Sequence, residues 1–400
     1  MNPWFHKRRL LTTAAFAVVL VVAVFTLVVV QKQPAPRTIV VQVDTTGQYR
    51  AIGNSVVAGA NHGLRLVSPL SDGSSLVIRV EDDRGNDDFA SSVALRCSAD
   101  PSVLAVIGTA TSGSTSRALE VYGTQRLPFL LPVATNPDLL TIASSNSWDT
   151  VYRLVPSDDL QATTIASFCA SEQRQWHKVF LLTDTSRYGT TLGAFLTRAL
   201  RAQGVNVPVT RVVEPFVPGQ TDYSEFLEPV ERYAPDAIVF AGYYEEAGPL
   251  VRQLRSAGCT TPVVLTDGAF EDAVFAAFEK LQTDIYIAFV APDWQRISTD
   301  RHPVSGNRTD ALSAMASYGP FAADAVVIIE LAAREVLASG KPLTRRTLAN
   351  KMHEMREYQD NRLYSSGYQF AAGGENEVAT NHMYVLDERD DGGMYWRFIE

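Results

Sequence analysis

Apolar runs along this chain alternate with amphipathic stretches, and that rhythm sets the expected architecture. Residues 38–43 read as a strand and 52–67 as a helix. Residues 75–81 and 103–107 read as strands around a helix at 88–98, followed by helix 114–122 and strand 129–131. The rhythm restarts with helix 159–169, strand 178–183, helix 188–202, strand 207–213, helix 223–233 and strand 237–241. Helix 245–257, strand 263–266, helix 271–278 and strand 285–289 complete it. Residues 293–310 are polar, with Pro and Gly, and read as a surface excursion. Residues 318–338 and 344–358 return to helical spacing, and 367–398 read as two or three short strands with a turn at 390–393.

Strand–helix alternation with continuous Val/Ile/Leu strands predicts an α/β protein with parallel sheets covered on both faces. More than ten strands is too many for one compact sheet, so two doubly wound sheets are expected. In such sheets ligands sit beyond the strand C-termini. Polar residues just after strands are therefore the functional candidates.

The N-terminus follows another pattern. Residues 10–30 carry no charge and are long enough to span a bilayer as a helix. His6, Lys7, Arg8 and Arg9 precede them, which predicts export of everything that follows. The run ends in Val28-Val29-Val30-Gln31, without a small-residue cleavage site, so an uncleaved transmembrane anchor is expected. No Cys follows for lipid attachment. Residues 31–37, with Pro34 and Pro36, form a short stiff linker.

Charge sharpens this division. The chain has 400 residues, 35 Lys and Arg, and 44 Asp and Glu, for a net −9. Five of the basic residues and none of the acidic ones precede residue 38, so the remainder is more acidic still. Nucleic acid is excluded as a partner on that balance. Cys97, Cys169 and Cys259 are widely spaced, which argues against a metal site and leaves at most one disulfide. No GxSxG, GxGxxG, P-loop or HExxH pattern is present, so neither an enzyme nor a cofactor is indicated.

Five strand ends carry candidate chemistry. After strand 103–107, Gly108–Ser116 is rich in hydroxyls and leads into a helix. Such an end suits an anion, or Ser112 simply caps the helix. After strand 129–131, Val133-Ala134-Thr135-Asn136-Pro137 offers a Thr135 hydroxyl for a ligand or a turn. Tyr188 and the pair Tyr243-Tyr244 follow two later strands, where an aromatic would wall a cleft. Asp267 ends strand 263–266 and needs a cation, from a ligand or from the protein, or a helix cap.

These stretches resemble the type I periplasmic solute-binding proteins, in the leucine/isoleucine/valine-binding family of ABC transporter receptors. The likeness covers about residues 38–400. It rests on 106–132, on Pro132-Val133-Ala134-Thr135-Asn136-Pro137-Asp138-Leu139 (family pattern P-x-A-T-x-P-x-L), on Tyr188-Gly189, and on Gly242-Tyr243-Tyr244 with 250–258 and Asp267-Gly268. The resemblance implies two lobes, 38–156 plus 285–340 and 157–284 plus 341–400, joined by three hinge crossovers near Pro156, Asp284 and Lys341. It implies an amino-acid ligand in the cleft. Ser112 would hold its carboxylate. The Val133 carbonyl, the Thr135 hydroxyl and Asp267 would hold its ammonium. Tyr188 and Tyr243 would close over it, and Tyr49 would touch its side chain. Three departures stand out: Asp267 replaces the family's Glu, Gly113 occupies a place where a third hydroxyl is common, and these receptors are usually free or lipid-attached.

The expected function is an extracytoplasmic receptor that binds an aliphatic amino acid and serves an ABC permease and ATPase. A membrane-tethered sensor for amino acids, amides or urea, acting through a signalling partner, is the alternative. A two-lobed protein that has lost its ligand is the bland one.

Overall fold

The computed structural model describes residues 35–208, 214–217, 219–278, 284–290, 315, 317–388 and 392–399. The expected span at 10–30 and the excursion at 293–310 lie outside the described residues, as does most of the strand expected at 207–213. Among the described residues no helix is long and apolar enough to cross a membrane.

Five parallel strands form the first sheet: β1 (Arg37–Val43), β2 (Leu76–Asp82), β3 (Val103–Gly108), β4 (Phe129–Leu131) and β5 (Val151–Arg153), in the order β2-β1-β3-β4-β5. The connecting helices are α1 (Arg50–Leu66), α2 (Asp87–Ala99), α3 (Ser112–Thr124) and α4 (Asp138–Ser145). Every residue of β3 is buried, because helices cover both faces of the sheet. The pleat divides β1 between two cores. Ile39, Val41 and Val43 pack in the cluster that holds Ile52 and Val56 of α1. Val40 packs in the cluster of Val93 from α2 and Leu119 from α3.

The chain then crosses through 154–157 to α5 (Asp158–Ala170). β6 (Val179–Asp184), α6 (Arg187–Ala202), β7 (Glu214–Phe216), α7 (Leu227–Tyr233), β8 (Ala237–Ala241), α8 (Tyr244–Ser256), β9 (Val263–Leu265) and β10 (Ile285–Phe289) follow. Next come α9 (Gly319–Ala338), α10 (Arg345–Met355) and the antiparallel pair β11 (Glu357–Tyr358) and β12 (Tyr368–Gln369). β13 (His382–Glu388) and β14 (Met394–Phe398) add antiparallel strands to the second sheet, whose order is β14-β13-β10-β9-β8-β6-β7.

This arrangement corrects several expectations. Residues 285–289, expected in the first lobe, form β10 inside the second sheet, in parallel pairing with β9. The second crossover is therefore not near Asp284. Residues 341–375, expected in the second lobe, pack on the first sheet's side. The Arg345 guanidinium donates there to the carbonyls of Val103 and Ser98, and Arg153 N donates to the Gly374 carbonyl. The third crossover thus lies between β12 and β13, not near Lys341. Helix α9 lies against α1, where Gly59 leaves no room for a side chain: a Cβ there would stand 1.9 Å from the Gly319 carbonyl.

Smaller differences have local causes. The helix expected at 271–278 is a 3-10 turn, Asp272–Ala277, and 223–233 opens as a 3-10 turn, Ser224–Phe226, before α7. Helix α10 stops at Met355 because Arg356 takes a left-handed conformation, φ 52°, and hydrogen-bonds back to Met352. Helix α4 and strand β5 were not expected; both are short. Cys97, Cys169 and Cys259 are free thiols, the first two buried.

Candidate ligand-binding site

The C-terminal ends of β3, β4, β6, β8 and β9 converge on one cavity between the two sheets. The free space is about 10 Å³, room for roughly one water molecule. An amino acid enters only if the two sides move apart. Contacts across the cleft hold them closed. The Tyr244 hydroxyl donates to the Gln48 carbonyl at 2.7 Å, and the Gln48 amide donates to Glu246 at 2.8 Å. The Asn136 amide donates to the Thr191 hydroxyl at 3.0 Å.

Six of the seven residues singled out by sequence line this cavity: Ser112, Val133, Thr135, Tyr188, Tyr243 and Asp267. Tyr49 does not. Its ring stands 4.5 Å from that of Tyr243, which is 5.1 Å from that of Tyr188. Tyr49 therefore backs the aromatic wall instead of facing the cavity.

The open question at Ser112 has an answer in the helix cap. Thr111 is the N-cap of α3, its side chain accepting from Ser114 N at 3.1 Å. Ser112 is the first helical residue, and its hydroxyl makes no hydrogen bond within the described residues. That hydroxyl and the first-turn N–H groups suit an anion. Gly113 also has a physical reason. A Cβ there would lie 2.6 Å from the Asp87 carboxylate, so a third hydroxyl would require that exposed side chain to swing aside.

Thr135 is fixed through its backbone. Its carbonyl accepts from Asp158 N and from the Arg153 guanidinium, both at 3.0 Å. Arg153 also donates to the Asn136 carbonyl at 2.7 Å and forms a two-pronged ion pair with Glu375.

Asp267 opens a 3-10 turn directly after β9 and is buried. Tyr188 donates to one of its oxygens at 2.5 Å and Tyr318 to the other at 2.7 Å. No basic side chain pairs with it among the described residues. Burial pushes its carboxyl above the usual range, while the two phenols pull the other way. Asp158 is buried nearby. Burial, with the charge of Asp267 adding, pushes its carboxyl up to about 8 against the Thr135 hydroxyl.

Tyr318, Asp158 and Thr111 were not singled out by sequence. Tyr318 immediately precedes the long apolar helix α9, and Ser55 of α1 holds it there by accepting from Tyr318 N and Gly319 N. Its signal was an aromatic at the head of a long apolar helix. Asp158 sits in the first turn of α5, where an acid reads as ordinary helix chemistry.

Two doubly wound sheets, joined by three crossovers and meeting at a cleft lined by hydroxyls, tyrosines and one acid, define a two-lobed solute-binding protein. The profile of the periplasmic binding protein family matches residues 36–393, and the chain belongs to that family. The expected likeness to its Leu/Ile/Val-binding branch is met. The Leu/Ile/Val-binding protein homolog 3 of Brucella melitensis is 26% identical over 234 residues, 58% of this chain and 61% of the relative. The match thus spans about three fifths of that relative's length. Among solved structures, the leucine binding protein LivK of Thermotoga maritima superposes with a TM-score of 0.75 at 20% identity, covering 90% of this chain and 97% of that one. LivJ of Streptococcus pneumoniae, in complex with isoleucine, gives 0.73 at 21% identity, covering 91% and 99%.

Proposed function

We propose that this protein is an extracytoplasmic receptor for a small α-amino acid, serving an ABC permease and ATPase, and tethered to the membrane by residues 10–30. The observation that carries the reading is the convergence of Ser112, Thr135 and Asp267 on one cavity between the lobes. The first turn of α3 and the Ser112 hydroxyl take the carboxylate. The Val133 carbonyl, the Thr135 hydroxyl and Asp267 take the ammonium. Tyr188 and Tyr243 come down from the second lobe, so ligand held by both lobes favours the closed state by its differential affinity. The names of the relatives, together with Ile52 in the lining, support an aliphatic side chain.

The test is thermal unfolding of the detergent-solubilised full chain against the twenty amino acids. A ligand at one hundred times its dissociation constant stabilises by about 2.7 kcal/mol. A shift with one or more aliphatic amino acids is expected; no shift with any amino acid would sink the reading. The charge-free anchor supports a second reading, a tethered sensor. It predicts that the purified protein binds amino acids while deleting its gene leaves amino-acid uptake unchanged.

A further inference from the structure

Asp267 needs no ligand to supply its hydrogen bonds. Tyr188 donates to one carboxylate oxygen and Tyr318 to the other. The two phenols come from opposite sides of the cleft: Tyr188 from the first turn of α6, and Tyr318 from the residue ahead of α9. Both are buried and both line the cavity. The cap on Asp267 is therefore completed as the cleft closes.

This bears on which ligands the site accepts. A buried polar group is costly when it loses its partner. Sites that rely on a ligand group to satisfy a buried partner reject the analogue lacking it by about 10⁴-fold or more. Such a penalty operates only where the analogue leaves an orphan. At Asp267 each oxygen already has a donor within the protein.

We propose that the Tyr188–Asp267–Tyr318 cap makes the ligand's ammonium dispensable. The receptor then takes small carboxylates bearing a hydroxyl at the α-carbon as well as the corresponding amino acids. Tyr318 is the specificity-determining residue, because its hydroxyl meets the demand that the ammonium would otherwise meet. The carboxylate end of the ligand stays at Ser112 and the first turn of α3. This inference rests on the receptor reading above and adds a ligand class to it.

Matched pairs test it: alanine with lactate, leucine with 2-hydroxy-4-methylpentanoate, and phenylalanine with 3-phenyllactate. Each is titrated calorimetrically into the full chain in detergent, for the wild type, Tyr318→Phe and Tyr188→Phe. The wild type is expected to prefer the amino acid over its hydroxy partner by less than about 30-fold, well short of the orphan penalty. In Tyr318→Phe one oxygen loses its donor, and the preference for the amino acid should rise by roughly 5- to 150-fold. Tyr188→Phe should move it the same way through the other oxygen, and it serves if Tyr318→Phe fails to fold. A wild-type preference of about 10⁴ or more, with amino acids still bound, overturns the inference and leaves the receptor reading standing. A preference unchanged in both variants overturns it too. Binding of none of the six compounds by the wild type overturns this inference, and the receptor reading falls with it only if none of the twenty amino acids shifts the melting temperature.

Discussion

At the scale of single residues, the first turn of α3 separates two jobs that sequence could not divide. Thr111 caps the helix, and Ser112 presents its hydroxyl to the cavity. The two substitutions should therefore behave differently. Ser112→Ala removes a hydrogen bond to a carboxylate, worth about 1.5–3 kcal/mol, and should weaken amino-acid binding by roughly 10- to 100-fold. It should leave the melting temperature of the unliganded protein unchanged. Thr111→Ala removes the cap, at about 1 kcal/mol, and should lower that melting temperature. Titration and thermal unfolding of both variants read the two effects. Equal losses of stability would contradict the division. Of the six candidate positions that line the cavity, Ser112, Thr135, Tyr188, Tyr243 and Asp267 follow strand ends, which are visible in a hydrophobic pattern, and Val133 came with the family resemblance. Tyr318 escaped because it follows no strand; it reaches the cavity only through the packing of α9 on α1. Tyr49, which came with the resemblance, is not among the lining residues, and its ring contact with Tyr243 leaves no trace in the sequence.

At the scale of elements, the loop between β4 and α4 owes its shape to a residue outside it. Arg153 is 1% exposed, and its guanidinium serves the Thr135 and Asn136 carbonyls and Glu375 together. The element rhythm gives no hint of this, because β5 is only three residues long and Glu375 lies 222 positions away. Long strands such as β1 and β3 were readable from the sequence; lobe membership was not. An apolar strand such as β10 fits either sheet by composition, and only its pairing with β9 decides. Arg153→Ala would take the second donor from the Thr135 and Asn136 carbonyls, which keep Asp158 N and Leu139 N, and would leave the Glu375 carboxylate without its cation. Breaking a buried pair from one side costs about 3–5 kcal/mol, so unfolding in denaturant should show a loss of that order. Glu375 is partly exposed. Glu375→Gln keeps an acceptor for the guanidinium but leaves its buried charge uncompensated, so it should cost a comparable amount. A loss under about 1 kcal/mol for Glu375→Gln would show that the loop carbonyls, and not the ion pair, carry the energy.

Across the whole molecule, buried acids set the response to pH. Burial pushes Asp83 and Glu246 up to about 7, Glu271 to about 8, and Asp184 and Asp324 to about 6, with Asp158 near 8. In the unfolded chain these groups titrate near 4. The folded protein therefore binds more protons than the unfolded one between about pH 4 and 8. Their contribution to stability is complete below the unfolded values and is lost as pH rises through 6 to 8. The net charge of −9 at neutral pH adds self-repulsion in the same direction. Opposing groups act lower: Asp100, beside Arg79 and Ser102, is held at about 2, and its contribution is lost only as pH falls toward that value. The melting temperature should accordingly peak near pH 5 and fall by at least several degrees by pH 8. Glu271 gives the sharpest check. It lies in the buried contact with Ser317, beside the N-terminus of α9, with Asp272 as its acidic neighbour. Glu271→Gln removes the charge that burial opposes while keeping an acceptor for Ser317. It should raise the melting temperature at pH 8.5 and change it little at pH 5. A variant that loses stability equally at both values would show that Glu271 is ionised and paired in the folded protein, and the acid-stabilised picture would fall.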